Sequence, residues 1–354
     1  MAHGGDDLLT VDRVGLACDP GQFHIDPWGA AETAVITHAH GDHARWGSGR
    51  YVCAEASVPL LTRRLAPGSV VQGIPYGEKI RMGEALVSFH PAGHVMGSAQ
   101  VRVERGDQVW VASGDYKRQP DRTCASFEVV KCDVFITEAT FALPIYRWDE
   151  TALVAKEIGE WWRGNREAGR ASVLFGYALG KSQRVLGELR RLSETAGWEW
   201  MREEPVLLHG AMASMTEAYR SAGAFMLETA AVVEEETGKR GKRDRSYAGR
   251  LVLAPPSAAG SPWMRRFGAG EKFETGFASG WMRVRGVRRR RGYDRGFVMS
   301  DHADWHDLLR TIGETGARRV LVTHGAREAL SKHLREQDVD ASVLATQYGD
   351  EEQE

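Results

Sequence analysis

The chain has 354 residues, 42 % of them hydrophobic and 27 % charged, with a formal net charge of −2. That length suits one large domain or two ordinary ones, and the composition is that of a soluble globular protein. No apolar run nears the roughly 20 residues of a membrane helix. Cys18, Cys53, Cys124 and Cys132 are scattered without Cys-x-x-Cys spacing. The N-terminus lacks the basic start and apolar core of a secretory signal. Both observations predict a reducing, cytoplasmic setting, and the cysteine spacing argues against a thiolate metal site.

Short β-like runs, separated by Gly and Pro, fill the first part of the chain: residues 34–37, 85–89, 99–103, 109–112 and 134–137. The first opens onto Thr37-His38-Ala39-His40-Gly41-Asp42-His43. Gathering three imidazoles and a carboxylate costs solvation unless a cation neutralises them, so this segment predicts a metal. Its mixed N/O donor set suits zinc, with manganese as a substitute. In an extended segment His38 and His40 point the same way, with Asp42 and His43 at the turn beyond. Later runs offer further donors: His94 between small residues, Asp115 after 109–112, and Glu138 after 134–137.

Beyond Pro144 the pattern changes to helix 151–162, strand 171–175, helix 181–192, strand 205–208 and helix 215–222. This alternation predicts a small parallel-sheet unit inserted in the main α/β fold. Residues 234–250 are dense in charge and read as an excursion, and strands are expected again at 251–254, 284–287 and 297–299. The Gly176 to Ser182 loop has three residues between its glycines where the Walker pattern has four, which dismisses a nucleotide-binding loop. A helix start carrying Lys181 and Ser182 is instead expected to hold a nucleic-acid phosphate. Arg283, Arg285, Arg288, Arg289, Arg290, Arg291 and Arg295 crowd one segment. They predict contact with a phosphate backbone, the alternative being a solvated edge strand. Trp281 beside them is the preferred base-stacking candidate, while Trp46, Trp263 and Trp305 read first as packing. Near the C-terminus, His302 follows 297–299, and Leu321-Val322-Thr323-His324 repeats the strand-then-His pattern.

Taken in order, these segments resemble the metallo-β-lactamase fold, and the Glu138 segment, the long insertion and the two C-terminal His segments resemble its β-CASP branch. Phe23-His24-Ile25-Asp26-Pro27-Trp28, Ala254-Pro255-Pro256-Ser257, Ala278-Ser279-Gly280-Trp281-Met282 and Ser300-Asp301-His302-Ala303-Asp304-Trp305 are similar to bacterial DNA-ligase-associated exonucleases. The resemblance spans nearly the whole chain. It implies an αββα sandwich built from residues 1–143 and 297–354, with an α/β β-CASP cap at 144–296. It also implies two divalent ions, one held by His38, His40 and His94 and the other by Asp42, His43 and His324. Asp115 would bridge them, and a shared hydroxide would hydrolyse a phosphodiester. His302 would protonate the leaving oxygen, Glu138 would orient His302, and Asp26 would orient a metal-bound histidine, with Thr37 adding a hydroxyl. The resemblance further implies DNA ends as substrate, favoured over RNA, with a DNA ligase and a helicase as partners and no membrane. Three readings stand beside it: an RNA-processing endo- or exonuclease, favoured by His324; a catalytically silent nucleic-acid-binding scaffold; and a small-molecule hydrolase, against which the insertion and the arginines argue.

Overall fold

In the first 140 residues apolar side chains come in runs of three or four, and Gly and Pro punctuate the chain between them. The computed structural model, which describes residues 7–232, 247–268 and 270–347, turns these runs into strands. The charge-dense excursion expected at 234–250 lies outside the described residues as far as 246. Two compact units emerge, one from Met1–Arg147 with Asp301–Glu354 and the other from Trp148–Ser300.

The first unit begins with β1 (Thr10–Val11), β2 (Leu16–Cys18), β3 (Phe23–Ile25), β4 (Thr33–Ile36), β5 (Arg50–Ala54), the short helix α1 (Val58–Arg64) and β6 (Val71–Ile74). These strands form one sheet in sequence order. There follow β7 (Ile80–Met82), β8 (Ala85–Pro91), β9 (Ala99–Arg105), β10 (Gln108–Ala112) and β11 (Val134–Ala139).

The second unit comprises α2 (Thr151–Glu167), β12 (Ala171–Phe175), α3 (Lys181–Thr195), β13 (Val206–Leu208), α4 (Gly210–Ser221), β14 (Thr229–Ala231), β15 (Leu251–Ala254), β16 (Phe273–Ala278), α5 (Arg285–Arg291) and β17 (Arg295–Phe297). Its six strands pair in parallel, in the order β14-β13-β15-β12-β16-β17. The central β12, β13 and β15 are buried on both faces and read as near-continuous apolar runs such as Leu251-Val252-Leu253-Ala254. The strand expected at 284–287 is instead the start of α5. Arginine is a good helix former, and Gly292, left-handed at φ 68°, stops the helix after two turns. The strand expected at 297–299 lies two residues earlier, as β17.

The chain then returns to the first unit with α6 (Trp305–Thr315), β18 (Arg319–Gly325), α7 (Arg327–Arg335) and β19 (Asp340–Val343). The second sheet runs β19-β18-β11-β10-β9-β8-β7, with β10, β11, β18 and β19 mutually parallel. Period-two alternation sorts its side chains. Trp110, Ala112, Ile136 and Leu321 face the core shared with Ile25, Val35 and Val52 of the first sheet. Val111, Phe135, Val320 and Val322 face Leu308 and Ile312 of α6 and Leu330 and Leu334 of α7. Each such side chain contributes about 1.5–3 kcal/mol by leaving water. The result is an α/β sandwich in which β10, β11 and β18 end along one edge. The Ala99 N–H donates to the Thr37 carbonyl at 2.8 Å, tying the end of β4 to the start of β9. Among the described residues no helix is long and apolar enough to cross a membrane.

Candidate metal centre

β4 is wholly buried, and the residues leaving it carry their polar groups into the interior: Thr37, His38, His40 and His43 are all buried. Hydrogen bonding settles which nitrogens carry protons. The Thr37 hydroxyl donates its one proton to Asp26 Oδ2 at 2.5 Å, so its oxygen accepts from His38 Nδ1–H at 3.0 Å. His94 Nδ1–H donates to the Asp301 carbonyl at 2.7 Å. Burial, followed by neighbouring imidazoles (His43 beside His38, His302 and His40 beside His94), holds both rings well below the usual histidine range. Both are therefore neutral and present bare Nε2 lone pairs.

Those lone pairs converge. His38 Nε2 and His94 Nε2 lie 3.1 and 3.0 Å from His40 Nδ1, and 3.5 and 3.9 Å from Asp115 Oδ2. A tetrahedral ion with nitrogen and oxygen ligands at about 2.0–2.2 Å sets those ligands roughly 3.3–3.6 Å apart. One shared proton on His40 cannot satisfy two acceptors and a carboxylate at once, whereas a divalent cation can. The donor set fits a metal.

On the other side, His43 Nδ1–H donates to Asp26 Oδ2 at 2.7 Å and its Nε2 faces Asp115 Oδ2 at 3.5 Å and Asp42 Oδ2 at 3.6 Å. Burial pushes His43 down, but Asp42, Asp115 and Asp26 overcome it and raise this imidazole well above its usual range. Asp115 runs the opposite way: burial raises its carboxyl, and His43, His324 and His302 bring it well below the ordinary value. His324 Nε2 reaches Asp115 Oδ1 at 3.0 Å. Its Nδ1 donates to Thr323 Oγ1 at 2.9 Å, while that hydroxyl donates to the Thr137 carbonyl at 3.3 Å. The Thr-His tether of β4 is thus repeated at the end of β18.

Backbone conformation supports this crowding. Asp26, a non-glycine residue at φ 42°, spends both oxygens on Thr37 and His43, a costly conformation of the kind found at functional sites. At Gly114, with φ 56°, a Cβ would lie 2.7 Å from the Thr37 Cβ, so only glycine lets the end of β10 deliver Asp115.

A second polar pair adjoins the cluster. His302 Nδ1–H donates to Glu138 Oε2 at 2.8 Å, and Glu138 Oε1 accepts the Tyr116 N–H at 2.7 Å, all three residues being buried. The His302 ring lies 4.6 Å from that of His94. Sequence reasoning missed Lys117, which is 1 % exposed. Its ammonium donates to Asp121 Oδ2 at 2.7 Å and to the His94 carbonyl at 3.3 Å, and lies 3.7 Å from Asp301 Oδ1. One buried cation thus holds both the His94 backbone and the residue whose carbonyl fixes the His94 ring. A lone lysine after Gly-Asp-Tyr reads as a surface residue, so nothing in the sequence signalled this.

No family model matches the chain. It is 30 % identical over 320 residues, 88 % of its length, to a probable DNA ligase of Opitutus terrae, of which it covers 28 %. It is 32 % identical over 204 residues, 51 % of its length, to the endoribonuclease ysh-1 of Neurospora crassa, of which it covers 23 %. These and further relatives include β-CASP metallo-β-lactamase nucleases, and the chain is similar to them. It spans about a quarter of the length of these two relatives. A solved structure of a protein of unknown function from Enterococcus faecalis V583 shares the fold, with a TM-score of 0.55 at 12 % identity over 90 % of this chain and 80 % of that one.

The remaining candidate residues belong to the second unit. Lys181 and Ser182 open α3 but are buried, and the Ser182 hydroxyl donates to the Tyr177 carbonyl at 2.8 Å. Trp281 is half-buried. Arg283 pairs with Asp149 at 3.5 Å, and the Arg291 guanidinium lies 5.4 Å from the Phe277 ring centre. Arg285, Arg289 and Arg290 are exposed on α5, and the Arg288 side chain lies outside the described residues.

Proposed function

We propose that this chain is an exonuclease that hydrolyses phosphodiester bonds at DNA ends with two divalent ions, zinc or manganese in its place. The observation that carries this reading is the convergence of bare imidazole nitrogens on Asp115, with a carboxylate-oriented histidine alongside. His38, His40 and His94 would hold one ion, Asp42, His43 and His324 the other, and Asp115 both. Such ions neutralise charge on a phosphorane-like transition state and lower the pKa of water. The protein's own groups do the rest. Glu138, held by the Tyr116 N–H, keeps the proton on His302 Nδ1 and favours the imidazolium, so Nε2 can carry a proton to the leaving oxygen. Asp26 and Thr37 fix the rings of His43 and His38.

On this reading the metallo-β-lactamase domain is residues 1–143 with 297–354, and 144–296 is the β-CASP insertion. Exposed arginines of α5 would meet the phosphate backbone in a salt-dependent way. DNA is favoured because the relative called a probable DNA ligase matches 88 % of the chain, against 51 % for the endoribonuclease. The same likeness supports a DNA ligase as partner; a helicase beside it, and a role in DNA repair, are proposed from the resemblance to ligase-associated exonucleases. Four cysteines without a disulfide support a cytoplasmic setting. RNA processing is the second reading, supported by the endoribonuclease match.

The test is a digestion of end-labelled single- and double-stranded DNA and matched RNA by purified protein with defined metals, beside an Asp42→Ala/His43→Ala variant. Metal-dependent shortening of DNA that the double variant lacks is expected. Cleavage of RNA alone would transfer the enzyme to RNA processing. Bound metal without cleavage of any substrate would favour a silent scaffold.

A further inference from the structure

All eleven tryptophans lie among the described residues, and ten of them are buried or half-buried. Trp46 is 76 % exposed. An indole left in water gains nothing for the fold, since its apolar surface stays hydrated. Its loop is nevertheless held tightly. The buried Tyr51 hydroxyl donates to the Arg45 carbonyl at 3.1 Å and accepts the Ser48 N–H at 3.0 Å, bridging the residues on either side of Trp46. The Arg45 guanidinium donates to the carbonyls of Asp42 at 3.3 Å, Trp28 at 3.4 Å and Gln347 at 3.3 Å. Gly47, at φ 108°, turns the chain back immediately afterwards. The loop therefore cannot fold inward to cover the indole, and through Arg45 it is fastened to the backbone of Asp42.

Position gives the indole a use. Trp46 follows His43 by three residues, so the two Cα atoms are at most about 11 Å apart. A phosphate at the metal centre brings its own sugar and base, and a neighbouring nucleotide, within that reach. A planar, rigidly presented aromatic ring matches the flat face that any nucleobase offers, at little entropic cost on binding. A base inside a duplex is already stacked on both faces, so the matching substrate is a single-stranded end. We propose that Trp46 is a stacking platform for one nucleobase of a single-stranded end whose backbone lies at the metal centre. This rests on the nuclease reading and adds a base subsite to it.

The experiment uses the full chain and a fluorescein-labelled single-stranded 20-mer oligodeoxynucleotide. Binding is followed by anisotropy in a Glu138→Gln background, which keeps the metal ligands while slowing cleavage, and cleavage in the otherwise native chain with Mn²⁺. Trp46→Ala should bind about tenfold more weakly, the order expected for one lost base stack, and raise KM with little change in kcat. Trp46→Phe should recover most of that loss. A single abasic site, moved along the oligonucleotide, should reproduce the loss at one position in the native protein and add nothing there in Trp46→Ala. A purely structural tryptophan would not show that non-additivity. Native cleavage with an unaffected Trp46→Ala variant, or additive effects at every position, would overturn the stacking subsite alone. A native chain that neither binds nor cuts the oligonucleotide would overturn the nuclease reading together with it.

Discussion

His38 and His43 have ring centres 4.1 Å apart and equal burial, yet they are driven in opposite directions. On the His38, His40 and His94 side, burial and neighbouring imidazoles keep His38 and His94 neutral, and each of these two rings is turned by a hydrogen bond at Nδ1. On the Asp42, His43 and His324 side, the carboxylates of Asp42, Asp115 and Asp26 outweigh burial and raise the His43 imidazole above its usual range. The first side presents lone pairs and the second presents negative charge. Both are costly alone, and both would be relieved by the proposed cations on either side of Asp115. The difference is in enclosure. His38 and His94 are fully buried, whereas Asp42 and His324 retain 26 % and 10 % of their side-chain exposure, which makes the second side the open one.

The largest effect should come from the residue common to both sides. Asp115→Asn should leave the fold intact, because the amide is the same size, and should abolish cleavage. Metal analysis of the purified variant should find less than one equivalent of bound ion. Two retained equivalents would break the view that Asp115 serves both sides. Glu138→Gln touches neither side and should separate metal holding from proton delivery. A fall in kcat on the order of 10²–10⁴ is expected, with metal content unchanged. Lys117→Met acts on the enclosed side only. Removing the cation strands Asp121 and Asp301 in the interior, and denaturant unfolding should show about 3–5 kcal/mol of lost stability. A loss under 1 kcal/mol would mean that water reaches the lysine and that the enclosed side is wetter than its burial implies.

Legibility in the sequence follows the same division. Donors packed into one short segment, His38 to His43, announce themselves because no other chemistry gathers those residue types. Asp115, Glu138 and His324 are legible as ends of apolar runs, and parallel strands bring those ends to one edge; His94 is legible from the small residues around it and His302 from the apolar run before it. Residues that work through burial were not legible. Lys117 looks like any surface lysine until the segments carrying His94, Asp121 and Asp301 close around it. Asp26 is expected by resemblance to orient a metal-bound histidine, but its left-handed backbone leaves no sign in the sequence. The arginine run misled for the opposite reason: a valine on each flank suggested a strand, but helix propensity and Gly292 decided the matter locally. Lys181 and Ser182 open α3 where a phosphate-binding loop would place them, and only coordinates show that both are buried.

The smallest predicted effects make the sharpest comparison, because the two sides share a device. Thr37 follows β4 and Thr323 lies near the end of β18; each passes its hydroxyl proton onward, and each accepts from the Nδ1–H of the following histidine. Thr→Val preserves the shape and deletes only that acceptor. At Thr37 nothing can replace it: the site is 1 % exposed, and Asp26 also loses a donor. Thr37→Val should therefore weaken zinc binding about tenfold in a chelator competition, within the range for partners that orient ligands. At Thr323 the histidine is half-buried, and water can accept the proton that valine refuses. Thr323→Val should cost no more than about threefold by the same competition. Equal losses would show that enclosure does not distinguish the two sides, and a larger loss at Thr323 would reverse the assignment of which side is open.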